Sequence, residues 1–224
     1  MSLEDKLCQI YDRVEEKCRS NLDRHTRQIA KHVATVLRGG SWGSVKARTS
    51  QALAEATTEA SYHARMLDAT GYLNEKVLEA SNSEFVDLSL RNDLLATQQE
   101  IYEKFASNEA PTRGFVYVAW SMRPETYYYI GKAKTVDRLT LAQHGKLAHA
   151  TANATKLSLV FPSQSTAEIL GGVEASLMAL IEFHTDRLPL LNERRERVRP
   201  NQGSGELESL SKFLKGVAGD LHSA

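Results

Sequence analysis

Residues 114–131 read GFVYVAWSMRPETYYYIG, and this stretch decides the fold. Residues 115–120 are rich in aromatic and β-branched side chains, which suit a pleated, buried surface. Ser121-Met122-Arg123-Pro124-Glu125 reads as a turn,. Residues 126–130 form a second β-rich run that stops at Gly131, so the two runs read as a β-hairpin,. Downstream, a helix is expected over about 136–149, a third strand over 157–161, and a long helix from Thr166 to about Asp186,. The order β-β-α-β-α predicts a small α+β domain whose helices cover one or both faces of a short sheet.

The chain upstream of the hairpin is helical in pattern. Leu3, Leu7, Ile10, Val14, Cys18, Leu22, Ile29, Val33 and Val36 recur at helical spacing over 3–37, with mixed charge between them,. Gly39-Gly40 ends this helix, and Ser41-Trp42-Gly43-Ser44 reads as a turn, with Trp42 a loop anchor or partner contact,. An Ala-rich helix over 46–67 follows and is interrupted by Gly71; further helical segments are expected over 73–80 and 85–105, closed by Pro111,. No strand is expected before Gly114. Beyond Pro200 an Asn-Gln-Gly-Ser-Gly linker leads to a tail with Leu207, Leu210, Phe213, Leu214, Val217 and Leu221 on one helical stripe,. The expected organisation is a helical domain over 1–112, the α+β domain over 113–199, and a linker with an amphipathic helix over 200–224.

With 224 residues, 42% hydrophobic and 25% charged, the chain is globular in composition, which excludes disordered and fibrous classes,. Its 28 basic and 28 acidic residues exclude a strong, uniform attraction to nucleic acid,. The balance is uneven, however: residues 1–112 hold 14 basic and 17 acidic residues, and 113–224 hold 14 and 11. Arg194, Arg195, Arg197 and Arg199 cluster in the basic half, as a solvated turn or a phosphate contact,. No apolar run reaches the roughly 18 residues of a membrane span. The acidic N-terminus lacks the apolar core of a secretory signal, so none is expected. Cys8 and Cys18 form no disulfide framework, and with His25 and His32 they match no usual zinc spacing,. A reducing, cytoplasmic setting is the expectation.

Tyr117 in Phe115-Val116-Tyr117, then Tyr129-Ile130-Gly131, Arg138, Glu174 and Asn192 follow in an order that resembles the GIY-YIG nuclease family over roughly residues 114–195. The YIG triplet is unchanged and runs on into Lys132-Ala133-Lys134, whereas the GIY triplet keeps only its tyrosine. Glu174-Ala175-Ser176-Leu177-Met178 is similar to the Glu-x-x-Leu-Ile of the family's late helix. The resemblance implies that 113–199 is a GIY-YIG-like nuclease domain, cutting DNA phosphodiester bonds with Mg²⁺ or Mn²⁺. The chain's size, without a zinc motif, is most like restriction-type or phage-type members, and a structure-specific repair or recombination enzyme is an alternative. A double-strand cutter would need a homodimer or sequential nicking. By the resemblance, Tyr117 and Tyr129 position or deprotonate the attacking water, Glu174 binds the metal and Asn192 buttresses the site.

The residue types suit that chemistry. Phosphodiester hydrolysis requires a nucleophilic water and stabilisation of charge on the phosphoryl oxygens. Glu174 offers the hard oxygen that Mg²⁺ accepts, and Arg138 a planar donor fork for a phosphate. Tyrosine ionises near pH ~10, so a neighbouring cation, Lys132 or the metal, must assist. His144 is a candidate general base or phosphate contact, and Lys132, Lys134, Asn192, Arg194 and Arg195 are candidate substrate contacts. Glu182 is an alternative to Glu174 as metal ligand, since it lies closer to Asn192 in sequence. His149 and His184 read as surface residues. A competing reading is a noncatalytic adaptor with a degenerate domain of the same fold. The nuclease reading expects Tyr117, Tyr129, Arg138 and Glu174 to converge on one concave face.

Overall fold

The computed structural model describes residues 1–37, 44–90, 113–135, 139 and 145–193. Among them the chain is α+β. Helix α1 is Leu3–Leu37 and α2 is Ser44–Leu73, continued by a π-helical turn, Asn74–Leu78. Strands β1 (Glu84–Ser89), β2 (Phe115–Met122) and β3 (Glu125–Ala133) follow, then α3 (Gly145–Asn153), β4 (Lys156–Phe161) and α4 (Ala167–Thr185). The four strands form one antiparallel sheet in the order β1-β4-β2-β3. The described chain divides into two compact units: Met1–Asp12 with the residues from Ala69 onward, and Arg13–Asp68. That division departs from the expected boundary at residue 112, because the first turns of α1 and the segment from Ala69 belong with the sheet.

β2 is buried along almost its whole length, which is why its sequence is a continuous apolar run rather than an alternating one,. It pairs with β3 on one side and β4 on the other. Phe115, Tyr117 and Ala119 face a core shared with Leu157, Leu159, Phe161 and the α3 residues Leu147 and Ala150. The alternate residues of β2 face α4, whose Leu170, Val173, Leu177 and Ile181 are buried. The register shifts between Ala119 and Trp120, so that Ala119 opposes Tyr129 while Trp120 opposes Tyr127. Tyr128 is the extra residue of this bulge, and Tyr127 and Tyr129 therefore point to opposite faces. Tyr127 stacks on Trp120 with ring centroids 6.0 Å apart.

The start of α1 is anchored to the sheet. Ser2 and Asp5 exchange side chain-to-backbone hydrogen bonds of 3.0 and 2.9 Å, a capping box that satisfies the first free amides of the helix,. Leu3 N–H donates to Asp87 on β1 at 3.0 Å, placing a carboxylate at the positive end of the helix,. Asp87 also accepts from Ser158, which accepts from the Trp120 indole at 2.8 Å. Leu3, Leu7 and Ile10 are fully buried, as their spacing predicts.

Two expectations are corrected. The chain before Gly114 is not all-helical: residues 84–89 are strand β1, not part of a helix over 85–105. Val86 and Leu88 are buried while their neighbours are less so, a period of two, and each pairs with β4,. Gly71 does not interrupt α2; it faces open space, and the cost of a helical glycine, about 1 kcal/mol, is too small to break a packed helix,. Of the helix expected over 136–149, residues 145–149 are helical, as part of α3, which ends at Asn153; residues 136–138 and 140–144 lie outside the described residues. The glycines at 39 and 40, Trp42 and the tail over 200–224 lie outside the described residues.

Candidate functional site

The site residues are positioned by the far end of β3 and by α4. Gly131 lies opposite Tyr117 in the β2–β3 register. A Cβ added at Gly131 would stand 2.5 Å from Tyr117 Oη and 2.6 Å from Cζ, so the phenol fills the space a side chain would need. Tyr117 is 2% exposed. Its ring lies 6.0 Å from that of Tyr129, inclined at 49°. The triplet's glycine is thus required by close approach and not by a turn.

Lys132, the next residue, points to the opposite face and pairs with Glu174 on α4, Nζ to Oε2 2.7 Å. The glutamate side chain is 9% exposed and the lysine 41%, so a nearly buried carboxylate is neutralised by an ammonium that reaches solvent,. Gly171, one turn before Glu174, lies beside that ammonium: a Cβ there would sit 3.4 Å from Nζ, in ordinary contact. The adjacent Gly172 receives the Tyr72 phenol, with Oη 2.5 Å from where its Cβ would be. Burial pushes the pKa of that phenol up. Sequence reasoning overlooked the packing at Gly172. The available signal was a pair of glycines inside a predicted helix, a costly choice that calls for a packing reason.

Asn192 brackets the edge of β3. Its Oδ1 accepts from Ile130 N–H and its Nδ2 donates to Ile130 C=O, both at 2.9 Å. Leu190 and Leu191 N–H donate to Tyr127 and Tyr128 C=O at 3.0 and 2.8 Å. The segment before Asn192 therefore ties itself to the open edge of β3 by two backbone hydrogen bonds. With both ends of its amide committed to backbone, Asn192 buttresses the strand; a substrate contact there would have to break this bracket.

The other expected residues are placed as follows. Lys134 is exposed just past the end of β3. Glu182 is on α4 two turns beyond Glu174, about 12 Å along the axis, and is not the carboxylate beside Lys132,. His149 is exposed, as expected. His184 is not a bystander, because its Nε2 lies 3.1 Å from Glu125 Oε1. Arg138, His144, Arg194 and Arg195 lie outside the described residues.

The structure thus assembles two pairs at one strand end: Tyr117 with Tyr129 on the α3 side of the sheet, and Lys132 with Glu174 on the α4 side. Convergence on a single concave face is not observed among the described residues, because consecutive strand residues face opposite ways. The donor set at Glu174 also does not make a Mg²⁺ site by itself. It offers one nearly buried carboxylate whose Oε2 is held by Lys132, and the three-ligand cluster found among the described residues excludes Glu174. Among the described residues, no helix is long and apolar enough to cross a membrane. Cys8 and Cys18 are free thiols. No protein-family model, curated protein or solved structure matches this chain.

Proposed function

We propose that the sheet-containing unit is a GIY-YIG-like endonuclease domain that hydrolyses DNA phosphodiester bonds. The observation that carries this reading is that consecutive residues at the end of β3 hold, on its two faces, a phenol against Gly131 and a carboxylate–ammonium pair at Lys132. On the α4 face an ammonium that reaches solvent can bind a phosphate oxygen while the carboxylate accepts a proton, and on the α3 face the half-buried Tyr129 phenol can orient a water,. Asn192 supports the reading, because its bracket on Ile130 holds the triplet rigid beside that chemistry. The Mg²⁺ or Mn²⁺ implied by the resemblance is not assigned to Glu174 on this geometry. Free thiols suit a cytoplasmic setting,. A restriction-type or phage-type substrate, a homodimer and DNA contacts from Arg138, Arg194 and Arg195 belong to the same proposal.

The second reading is a noncatalytic interaction protein. It is favoured by the separation of the two pairs onto opposite sheet faces and by the commitment of Glu174 to Lys132. Plasmid DNA incubated with the purified chain, in Mg²⁺, in Mn²⁺ and in EDTA, separates the two. The nuclease reading expects nicked or linear product with at least one metal, reduced at least ~100-fold by Glu174→Ala and by Tyr117→Phe. No product from the wild-type chain under any condition supports the adaptor. Cleavage that survives both substitutions would place the site elsewhere.

A further inference from the structure

The unit Arg13–Asp68 holds a cluster that no sequence spacing announced. His25 lies on α1; Glu59 and His63 lie one turn apart on α2, on the same helical face,. One ligand atom from each of the three lies within 4.8 Å of the other two. The two imidazoles stack with centroids 5.7 Å apart and planes inclined at 15°. His25 is 9% and His63 6% exposed, while Glu59 is on the surface, so the cluster is walled on one side and open on the other.

We propose that His25, Glu59 and His63 bind a divalent transition-metal ion of the zinc class and clamp α1 to α2. Two imidazole nitrogens and one carboxylate oxygen suit zinc, with water in the remaining position; Mg²⁺ and Ca²⁺ take oxygen ligands instead. A second observation concerns the outer support of a ligand. His25 Nδ1 lies 3.1 Å from Gln28 Oε1, so an Nδ1–H donated there leaves the Nε2 lone pair for the ion,. Arg24 lies 3.5 Å from that Nε2 and is the group the ion displaces; it is exposed and can swing into solvent. Tetrahedral zinc with bonds of about 2.0–2.1 Å holds its ligand atoms about 3.3 Å apart, so the side chains close by roughly 1 Å or more. Rotamer changes of the exposed glutamate and the histidines can supply that movement.

The test uses the full chain, stripped of metal by a chelator and titrated with ZnCl₂ or CoCl₂. The expected result is one zinc retained per chain through gel filtration, and a visible Co²⁺ absorption band that zinc abolishes and millimolar MgCl₂ does not. Glu59→Gln and His63→Asn should each weaken binding at least ~10-fold, and Gln28→Ala about 10-fold, by losing outer support. Helical circular dichroism checks that each variant is folded, and the surface position of Glu59 makes its variant the safest. Glu174→Ala should bind zinc as the wild type does, which keeps this site separate from the proposed nuclease site. Absence of stoichiometric binding overturns the proposal, as do displacement by Mg²⁺ and wild-type affinity in both Glu59→Gln and His63→Asn.

Discussion

Gly131 carries more structural consequence than any other residue of the triplet. Its missing side chain is the seat of the Tyr117 phenol, and its successor Lys132 holds Glu174. Gly131→Ala should therefore act as overpacking against a buried ring and destabilise the chain by about 1–3 kcal/mol in urea unfolding. Adding Tyr117→Leu, which shortens the opposing side chain, should recover part of that loss in a double-mutant cycle. Strict additivity of the two changes would show that the contact is unimportant. The triplet itself was legible in the sequence. Its reason was not, because Tyr117 and Gly131 are fourteen positions apart and meet only through strand register.

At the scale of elements, β3 shows how an edge strand is finished. Its backbone from Tyr127 to Ile130 is covered by residues 190–192, and the Asn192 amide makes the last two bonds. Asn192→Ala leaves the partly buried Ile130 N–H and C=O without that bracket, a loss of about 1–3 kcal/mol. Amide hydrogen exchange at Ile130 should rise in the variant while that in β4 stays slow, and unchanged protection at Ile130 would count against the bracket. Elements differed in how far they could be read. α1 was legible because its apolar stripe, Leu3 to Cys18, keeps one period and is buried as written. α4 was legible from Thr166, whose side chain caps the helix by accepting from Ile169 N–H. β1 was missed because six residues with two buried positions give too short an alternation to outweigh the helical pattern around them,.

For the molecule as a whole, the sheet unit is closed by contacts distant in sequence. Lys6 on α1 pairs with Glu125 in the β3 turn at 2.6 Å, and Tyr127 and His184 also reach that carboxylate. Burial tends to raise the Glu125 pKa, but Lys6, Tyr127 and His184 outweigh it and hold the group below its ordinary value of 4.5. The folded state then binds this proton less readily than the unfolded chain, so the pairing stabilises above pH 4.5 and is lost as pH falls through the lower, folded value,. Lys6→Met should therefore flatten the loss of stability as pH falls below 4.5, as read from urea midpoints,. An equally steep loss in the variant would remove Glu125–Lys6 from the account.

The sequence by itself determined the helical first turns, the hairpin, the capped late helix and the residue types of the candidate chemistry, because each rests on a local period or a local turn. Tertiary structure decided the rest. It recruited residues 84–89 into the sheet, turned Tyr129 and Lys132 to opposite faces, and paired Glu174 with Lys132 in preference to Glu182. It also joined His25 to Glu59 and His63 across two helices. The physical reason is common to all four: register and helix packing choose partners by which faces meet in space, and chain spacing carries no record of that choice.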